Sequence, residues 1–135
     1  MTEPAVTAVE PTGAQLATLA SSTDDGPVVM LNLLRYRDLA DDDTGRTGRQ
    51  AYADYSAVAV RLVLEHGGSF EFMGTASPSL IAPAGEQWDD VVLVRYPNRA
   101  AFLAMVSCEE YQANMHHRTV ALADSRLIPM TKVEL

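Results

Sequence analysis

Two nearly continuous hydrophobic blocks dominate the pattern of apolar and polar positions along the chain. The first covers residues 28–34 and follows the turn residues Gly26 and Pro27. The second covers residues 88–96 and stops at Pro97. Their short length, their valine content and these flanking residues favour buried strands over helices.

Two further segments have a weaker strand pattern. Residues 69–81 contain Phe70 and Phe72 but also Gly74 and Pro78, which indicate a bulge or a bend. Residues 126–133 contain a proline that cannot donate a hydrogen bond, so we expect this last strand at an edge of the sheet.

Helical spacing predicts one short and one long helix. Residues 11–20 can form a short helix with Thr12 as its N-cap. Residues 49–66 place Tyr52, Tyr55 and other apolar residues on one stripe, and the pair Gly67-Gly68 that follows is typical of a helix C-terminus.

A third helical segment begins after Asn98, which is a favourable N-cap. Ser107 and Glu110 have the spacing of a capping box and predict that the helix restarts there. We expect Asp124 and Ser125 to break the pattern before the last strand.

The resulting order of elements is β-α-β-β-α-β, preceded by the short helix. This order predicts an α+β protein with a ferredoxin-like antiparallel sheet and two helices on one face. The strands over residues 28–34 and 88–96 are apolar on both faces, so the second face also needs a cover. We expect that cover to be a second copy of the sheet, which makes the protein a homodimer.

The length of the chain, 135 residues, favours a single folded domain. We assign residues 1–25 to an N-terminal tail with the short helix and residues 26–135 to the folded domain. Residues 38–48 form a long acidic loop that is either a lid or a solvated segment.

Charge and cysteine content exclude several classes of partner. Eighteen acids against ten bases give a formal net charge of −8, so nucleic acid and anionic membranes are not expected as partners. The one cysteine, Cys108, allows neither an intrachain disulfide nor a multi-thiolate metal site. Residues 1–10 carry no cationic residue and no long apolar run, so we expect no signal peptide and a cytoplasmic protein.

Several stretches resemble the domain-of-unknown-function family 1330. They are GPVVMLNLLRY at residues 26–36, WDDVVLVRYPNRAAF at 88–102, Glu110-Tyr111, His117-Arg118 and ADSRLI at 123–128. The resemblance covers residues 26–130 and implies the ferredoxin-like dimeric α+β barrel. Relatives in that superfamily include cofactor-free monooxygenases, lactone isomerases, polyketide cyclases and heme-handling enzymes, but no catalytic residue can be transferred from the family itself.

Three polar residues lie on otherwise apolar elements and are candidates for substrate binding. Asn32 is in the middle of a buried strand, where its amide is either a satisfied core group or a donor to a substrate carbonyl. Tyr52 and Tyr55 share one helix face, and their hydroxyls need partners if they are buried.

His117 is the candidate for acid–base catalysis because imidazole titrates near neutral pH. It lies at the margin of the apolar stripe, whereas His116 points towards solvent. Arg118 is expected to hold a carboxylate or an enolate. The alternative is that His117 and Arg118 form a structural hydrogen-bonding pair.

No metal or cofactor is expected. Adjacent helical residues such as His116 and His117 diverge by about 100° and cannot chelate one ion together. The sequence also lacks phosphate-binding loops and dinucleotide fingerprints.

Two functional hypotheses follow. The first is a cofactor-free enzyme, of the isomerase, cyclase or monooxygenase type, acting on a small apolar carbonyl or lactone-like molecule. The second is a non-catalytic dimer that binds a metabolite or acts as an accessory protein. The polar groups on apolar elements lead us to adopt the first hypothesis. The absence of a complete catalytic constellation supports the second, and a closed apolar core with His117 outside it would favour it.

Overall fold

The fold is described by a computed structural model that covers residues 6–135. The elements are α1 (Gly13–Ala20), β1 (Val28–Tyr36), α2 (Gly48–Glu65), β2 (Ser69–Thr75), β3 (Asp90–Tyr96), α3 (Arg99–Ser107), α4 (Glu109–Ala121) and β4 (Leu122–Met130). No helix in this part of the chain is both long and apolar enough to cross a membrane.

The four strands form one antiparallel sheet in the order β2-β3-β1-β4. The most apolar strand, β1, lies between β3 and β4, which hydrogen-bond to its two edges. This arrangement confirms the predicted α+β, ferredoxin-like fold, with the second helix of the βαββαβ order divided into α3 and α4.

The strand period of two separates the sheet into a helix face and an open face. Val28, Met30 and Leu34 of β1 are fully buried on the helix face, where α2, α3 and α4 pack. The alternate residues of β1 lie on the open face and are only half-buried. The open face consists of Val29, Leu31, Leu33, Phe72, Val91, Leu93 and Ile128.

The strand predicted over residues 69–81 is shorter in the structure. Strand β2 ends at Thr75, and residues 76–89 form no strand. The expected irregularity is present as a shift of register between Phe70 and Phe72. Pro78 lies beyond the strand, where its missing N–H costs the sheet nothing.

The predicted capping box at Ser107 and Glu110 is wrong. Ser107 is the last residue of α3, and Cys108 is the N-cap of α4, with its sulfur accepting a hydrogen bond from the Tyr111 amide at 3.4 Å. Cys108 has an extended backbone and so re-aims the chain between the two helices. A thiol is a weak hydrogen-bond acceptor, and cysteine is therefore not one of the usual capping residues. For this reason the sequence did not indicate Cys108 as the cap.

The last strand also differs from the prediction at its start. It begins at Leu122, directly after α4, and Asp124 and Ser125 are buried within it rather than breaking the pattern. Pairing with β1 satisfies their backbone groups. The expectation that Pro129 lies in an edge strand is confirmed, because β4 has a neighbour on one side only.

The N-terminal segment is more ordered than a simple tail. Thr12 caps α1 as predicted, with a reciprocal hydrogen bond between Thr12 and Gln15. Residues 1–5 of the predicted tail lie outside the described residues. Residues 8–10 contact β4 and α4 through hydrogen bonds that join positions far apart in the chain.

Both ends of α2 depend on glycine. A side chain at Gly48 would collide with the backbone of Arg37 and of Ala121, so only glycine lets α2 begin against the end of α4. Gly67 follows the C-cap residue His66 with φ of 79°, a left-handed conformation that confirms the predicted helix end. Helix α2 is thereby held across the helix face of the sheet.

Candidate functional site

A cavity of about 680 Å³ lies between the helix face of the sheet and the helices. Its walls are mainly apolar, and its size falls in the range of small-molecule sites, about 300–1,000 Å³. The sheet contributes Met30, Val92 and Val94, and the helices contribute Ala59, Phe102 and Met105. Residues 8–11 and α1 border the cavity beside α4 and β4.

Tyrosines form a continuous row beside this cavity. The ring centroids of Tyr36 and Tyr52 are 5.4 Å apart, those of Tyr52 and Tyr55 are 5.3 Å apart, and those of Tyr55 and Tyr111 are 6.1 Å apart. Tyr52, Tyr55 and Tyr111 line the cavity. The two α2 tyrosines are three residues apart and therefore share one helix face, as predicted.

The phenols of Tyr52 and Tyr55 are neutral hydrogen-bonding groups at physiological pH. Burial raises the pKa of Tyr52 and of Tyr55 above the ordinary value, while the charge of Arg118 partly offsets that increase. The Tyr55 and Tyr111 hydroxyls are 3.0 Å apart and hydrogen-bond to each other. The Tyr52 hydroxyl has no hydrogen-bond partner among residues 6–135 and can donate to a ligand.

Arg118 places a positive charge at the wall of the cavity. The residue is 9% exposed, on the inner face of α4, seven residues after Tyr111. Its Nη1 atom donates to the carbonyl oxygen of Val9 at 2.6 Å. Within the described part of the chain, no carboxylate forms an ion pair with Arg118.

Asn32 lies on the helix face in the middle of β1 and also lines the cavity. Its side-chain nitrogen donates to the carbonyl oxygen of Val92 at 3.3 Å. The same nitrogen donates a longer bond to the carbonyl oxygen of Met30 at 3.5 Å, so the backbone occupies both N–H groups that the sequence assigned to a substrate carbonyl. In this orientation the side-chain oxygen remains for a ligand that donates a hydrogen bond.

His117 occupies a different environment and does not line the cavity. Its Nδ1 atom lies 2.9 Å from Nη1 of Arg46, in the loop between β1 and α2. Arg46 in turn forms ion pairs with Asp42 at 2.8 Å and with Asp54 at 2.7 Å. Because Arg46 donates, His117 accepts, and the pair connects the acidic loop to α4.

We expect the stability of the protein to decrease as the pH falls below the ordinary pKa of histidine, about 6.5. Burial, followed by the nearby charges of His116 and Arg46, lowers the pKa of His117, against the opposing effect of Asp54 and Asp42. The unfolded chain therefore binds a proton more readily than the folded one. The stabilising contribution of neutral His117 is present above pH 6.5 and is lost as the pH falls through the folded-state pKa of this residue.

Thermal melts at pH 7.5 and pH 5.5 measure this effect. His117→Gln keeps an acceptor for Arg46 but cannot titrate, so it should reduce the loss of melting temperature on acidification. His116→Gln, one position away and exposed, is the matched control: it removes only the effect of His116 on His117, so it should reduce that loss less than His117→Gln does. Equal pH dependence in His117→Gln and in the wild type would contradict the assignment.

The structure thus brings together four of the five residues singled out in the sequence: Asn32, Tyr52, Tyr55 and Arg118. His117 lies outside this group because neighbouring helical residues point about 100° apart. Sequence reasoning missed Tyr111 as a lining residue. Its spacing of two helical turns from Arg118 was the available signal.

The described residues contain no group of three or more His, Cys, Asp and Glu side chains that could hold a metal ion. Glu10 is the one acidic residue of this part of the chain that lines the cavity. The lining also contains a second arginine, Arg126, which is paired with Asp124 at 2.6 Å. Within its apolar enclosure the cavity therefore presents hydrogen-bond donors and one arginine, Arg118, that has no carboxylate partner among residues 6–135.

Comparison with known proteins identifies a family of unknown function. The family model described as domain of unknown function (DUF1330) matches residues 45–131. No curated protein matches the chain. The crystal structure of a protein of unknown function from Rhodopseudomonas palustris is 33% identical, covers 96% of this chain and 100% of its own, and superposes with a TM-score of 0.92.

More distant solved structures share the fold alone. A dimeric protein of unknown function with a ferredoxin-like fold from Bacteroides fragilis is 13% identical, with a TM-score of 0.51 over 78% of this chain and 95% of its own. A candidate antibiotic biosynthesis monooxygenase from Caulobacter crescentus is 15% identical, with a TM-score of 0.50 over 82% of this chain and 92% of its own.

Proposed function

We propose that this chain, which belongs to the DUF1330 family, is a small-molecule-binding protein. Its ligand is a compact, largely apolar molecule that carries a carboxylate. The ligand occupies the cavity between the sheet and the helices, with its charged end at Arg118 and its apolar body among the aliphatic and aromatic walls.

The observation that carries this proposal is the position of Arg118. A guanidinium removed from water is costly unless an anion or several acceptors compensate it. Among residues 6–135, its one hydrogen-bond acceptor is the neutral carbonyl oxygen of Val9. A ligand carboxylate would supply the missing negative charge through a charge-assisted, two-pronged hydrogen bond.

The neighbouring polar groups suit the same ligand. The Tyr52 hydroxyl can donate a second hydrogen bond, and its protonated state is maintained by burial, which raises its pKa. The side-chain oxygen of Asn32 can accept one. These few polar groups set the orientation of the ligand in the cavity. The apolar area that the ligand buries against the walls supplies most of its affinity.

Calorimetric titration with two aromatic probes of equal shape tests the proposal. We expect 2-naphthoate to bind at least about tenfold more tightly than 2-naphthamide, since a hydrogen bond to an ionised group is stronger than one between neutral groups. Equal affinity for the two probes, or no binding of either, would overturn the proposal.

A cofactor-free enzyme acting on an apolar carbonyl is the second candidate, and the convergence of Tyr52 and Arg118 on one cavity favours it. A phenol donor beside a cation is suited to stabilise an enolate oxygen. His117, the sequence-based candidate for proton transfer, faces Arg46 instead of the cavity, so the binding function has stronger geometric support. Deuterium exchange at the α-carbons of 2-tetralone, followed by NMR, separates catalysis from binding.

We also propose that the protein is a homodimer joined through the open faces of two sheets. Leu31 and Leu93 lie side by side at the centre of that face, in paired strands. Phe72 remains 55% exposed and Ile128 45% exposed on the same face. Burial of this surface against a second copy would remove apolar area from water, and one solved structure of the same fold is described as dimeric.

A further inference from the structure

Residues 6–11, which we call the N-terminal strap, cross the cavity margin between α4 and β4. The Ala8 amide donates to Oδ1 of Asp124 at 2.9 Å, and the Ala8 carbonyl accepts from the Ser125 amide at 2.7 Å. The strap thereby pairs with the outer edge of β4. It also contributes Ala8, Val9, Glu10 and Pro11 to the cavity lining.

The strap occupies the position that the proposed function assigns to the ligand's anionic oxygen. The Val9 carbonyl oxygen lies 2.6 Å from Nη1 of Arg118. A carbonyl is a neutral acceptor, whereas a carboxylate adds a full negative charge and can engage two guanidinium nitrogens. An acidic ligand would therefore compete favourably for the same guanidinium.

The strap is held mainly by polar contacts and buries little apolar surface. Val9 is half-buried, and the other five residues of the strap are exposed. Two side-chain hydroxyls add further ties: that of Ser125 donates to the Ala8 carbonyl at 3.0 Å, and that of Thr119 donates to the Glu10 carboxylate at 2.6 Å. Segments with few buried apolar contacts open at low free-energy cost while the rest of the fold stays intact.

We propose that the strap is a reversible cover whose Val9 carbonyl holds the place of the ligand's anionic oxygen, and that an acidic ligand releases it by taking over Arg118. This inference rests on the proposed binding function. It predicts that anionic ligands loosen the strap while they occupy the cavity, and that neutral molecules of the same shape leave it closed.

Hydrogen exchange at the Ala8 amide measures strap opening directly, because this amide donates across the strap contact. The Ser125 amide also donates across it but keeps a second acceptor, Oδ1 of Asp124, at 2.9 Å, so its response is smaller. With saturating 2-naphthoate, exchange at the Ala8 amide should become at least about tenfold faster, while core amides exchange more slowly because bound ligand stabilises the fold. With 2-naphthamide, the two amides should not exchange faster than in the free protein.

A variant tests the same mechanism from the other side. Thr119→Val removes the tie to Glu10 without touching the cavity, since Thr119 does not line it. We expect faster strap exchange without ligand and a several-fold faster association of 2-naphthoate. Ser69→Ala, which removes a comparable exposed side-chain hydrogen bond in β2, should change neither rate.

The two proposals fail in different ways. If 2-naphthoate binds through Arg118 but exchange at Ala8 and Ser125 stays the same or slows, the strap mechanism is wrong and the binding function stands. If 2-naphthoate does not bind, the binding function is wrong and the strap mechanism falls with it.

Discussion

Replacement of Arg118 by glutamine should weaken the binding of 2-naphthoate about 10- to 100-fold, because a hydrogen bond to a charged group contributes about 1.5–3 kcal/mol. Glutamine keeps a donor for the Val9 carbonyl but removes the charge that a carboxylate requires. Binding of 2-naphthamide should change less than about fivefold, since its amide never used that charge. Calorimetric titration of both probes against both proteins measures the difference.

Two control variants define what this result means. Arg118→Lys keeps the charge but loses the planar two-pronged geometry, so its affinity for 2-naphthoate should fall between those of the wild type and Arg118→Gln. His117→Gln changes the adjacent residue, which lies outside the cavity, and should bind both probes as the wild type does. Equal losses for both probes in Arg118→Gln would indicate a role in folding, and would contradict carboxylate recognition.

Substitution of Leu93 by glutamate should convert the proposed dimer to a monomer. Light scattering should give about 29 kDa for the wild type, twice the mass of the 14.6 kDa chain, and about half that value for the variant. Leu93 is directly opposite Leu31 on the open face. In the dimer, a carboxylate at this position would be buried without a partner. The free-energy cost of that burial far exceeds the free energy gained by burying the surrounding apolar side chains.

Leu64→Glu is the matched control for this variant. Leu64 is 57% exposed on α2, away from the open face, so the same change of residue there should leave the dimer intact. Thermal melts of both variants at one concentration show whether each is folded. A wild-type protein that is monomeric at micromolar concentration, or a Leu93→Glu protein that is a folded dimer, would exclude the open face as the interface.

These two predictions concern opposite faces of one sheet. Along β1, Asn32 faces the cavity while its neighbours Leu31 and Leu33 face the opposite side. Because strand residues alternate, the binding cavity and the proposed dimer contact are carried by interleaved positions of the same strand. A substitution on the cavity face should therefore change ligand binding without changing the dimer, and a substitution on the open face should do the reverse.

The sequence by itself determined the order of the elements and most of their ends. Period-two and helical patterns are local properties, and so are the helix boundaries marked by Thr12, Asn98 and Gly67. The edge position of the last strand also followed from one residue, Pro129, because a missing N–H has the same consequence in any sheet. These signals depend on residues within a few positions of one another.

The tertiary structure alone decided which polar groups meet. On the sequence, His117 and Arg118 are adjacent and equally plausible, yet the orientation of α4 directs Arg118 into the cavity and His117 towards Arg46. The Val9–Arg118 contact joins residues 109 positions apart, and no local pattern encodes such a distance. Likewise, the sequence indicates Asp124 and Ser125 as helix breakers. In the structure, pairing with β1 and with the strap satisfies their hydrogen-bonding groups within a strand. Contacts of this kind depend on the packing of whole elements, and packing is fixed by the sum of many side-chain volumes rather than by any one segment.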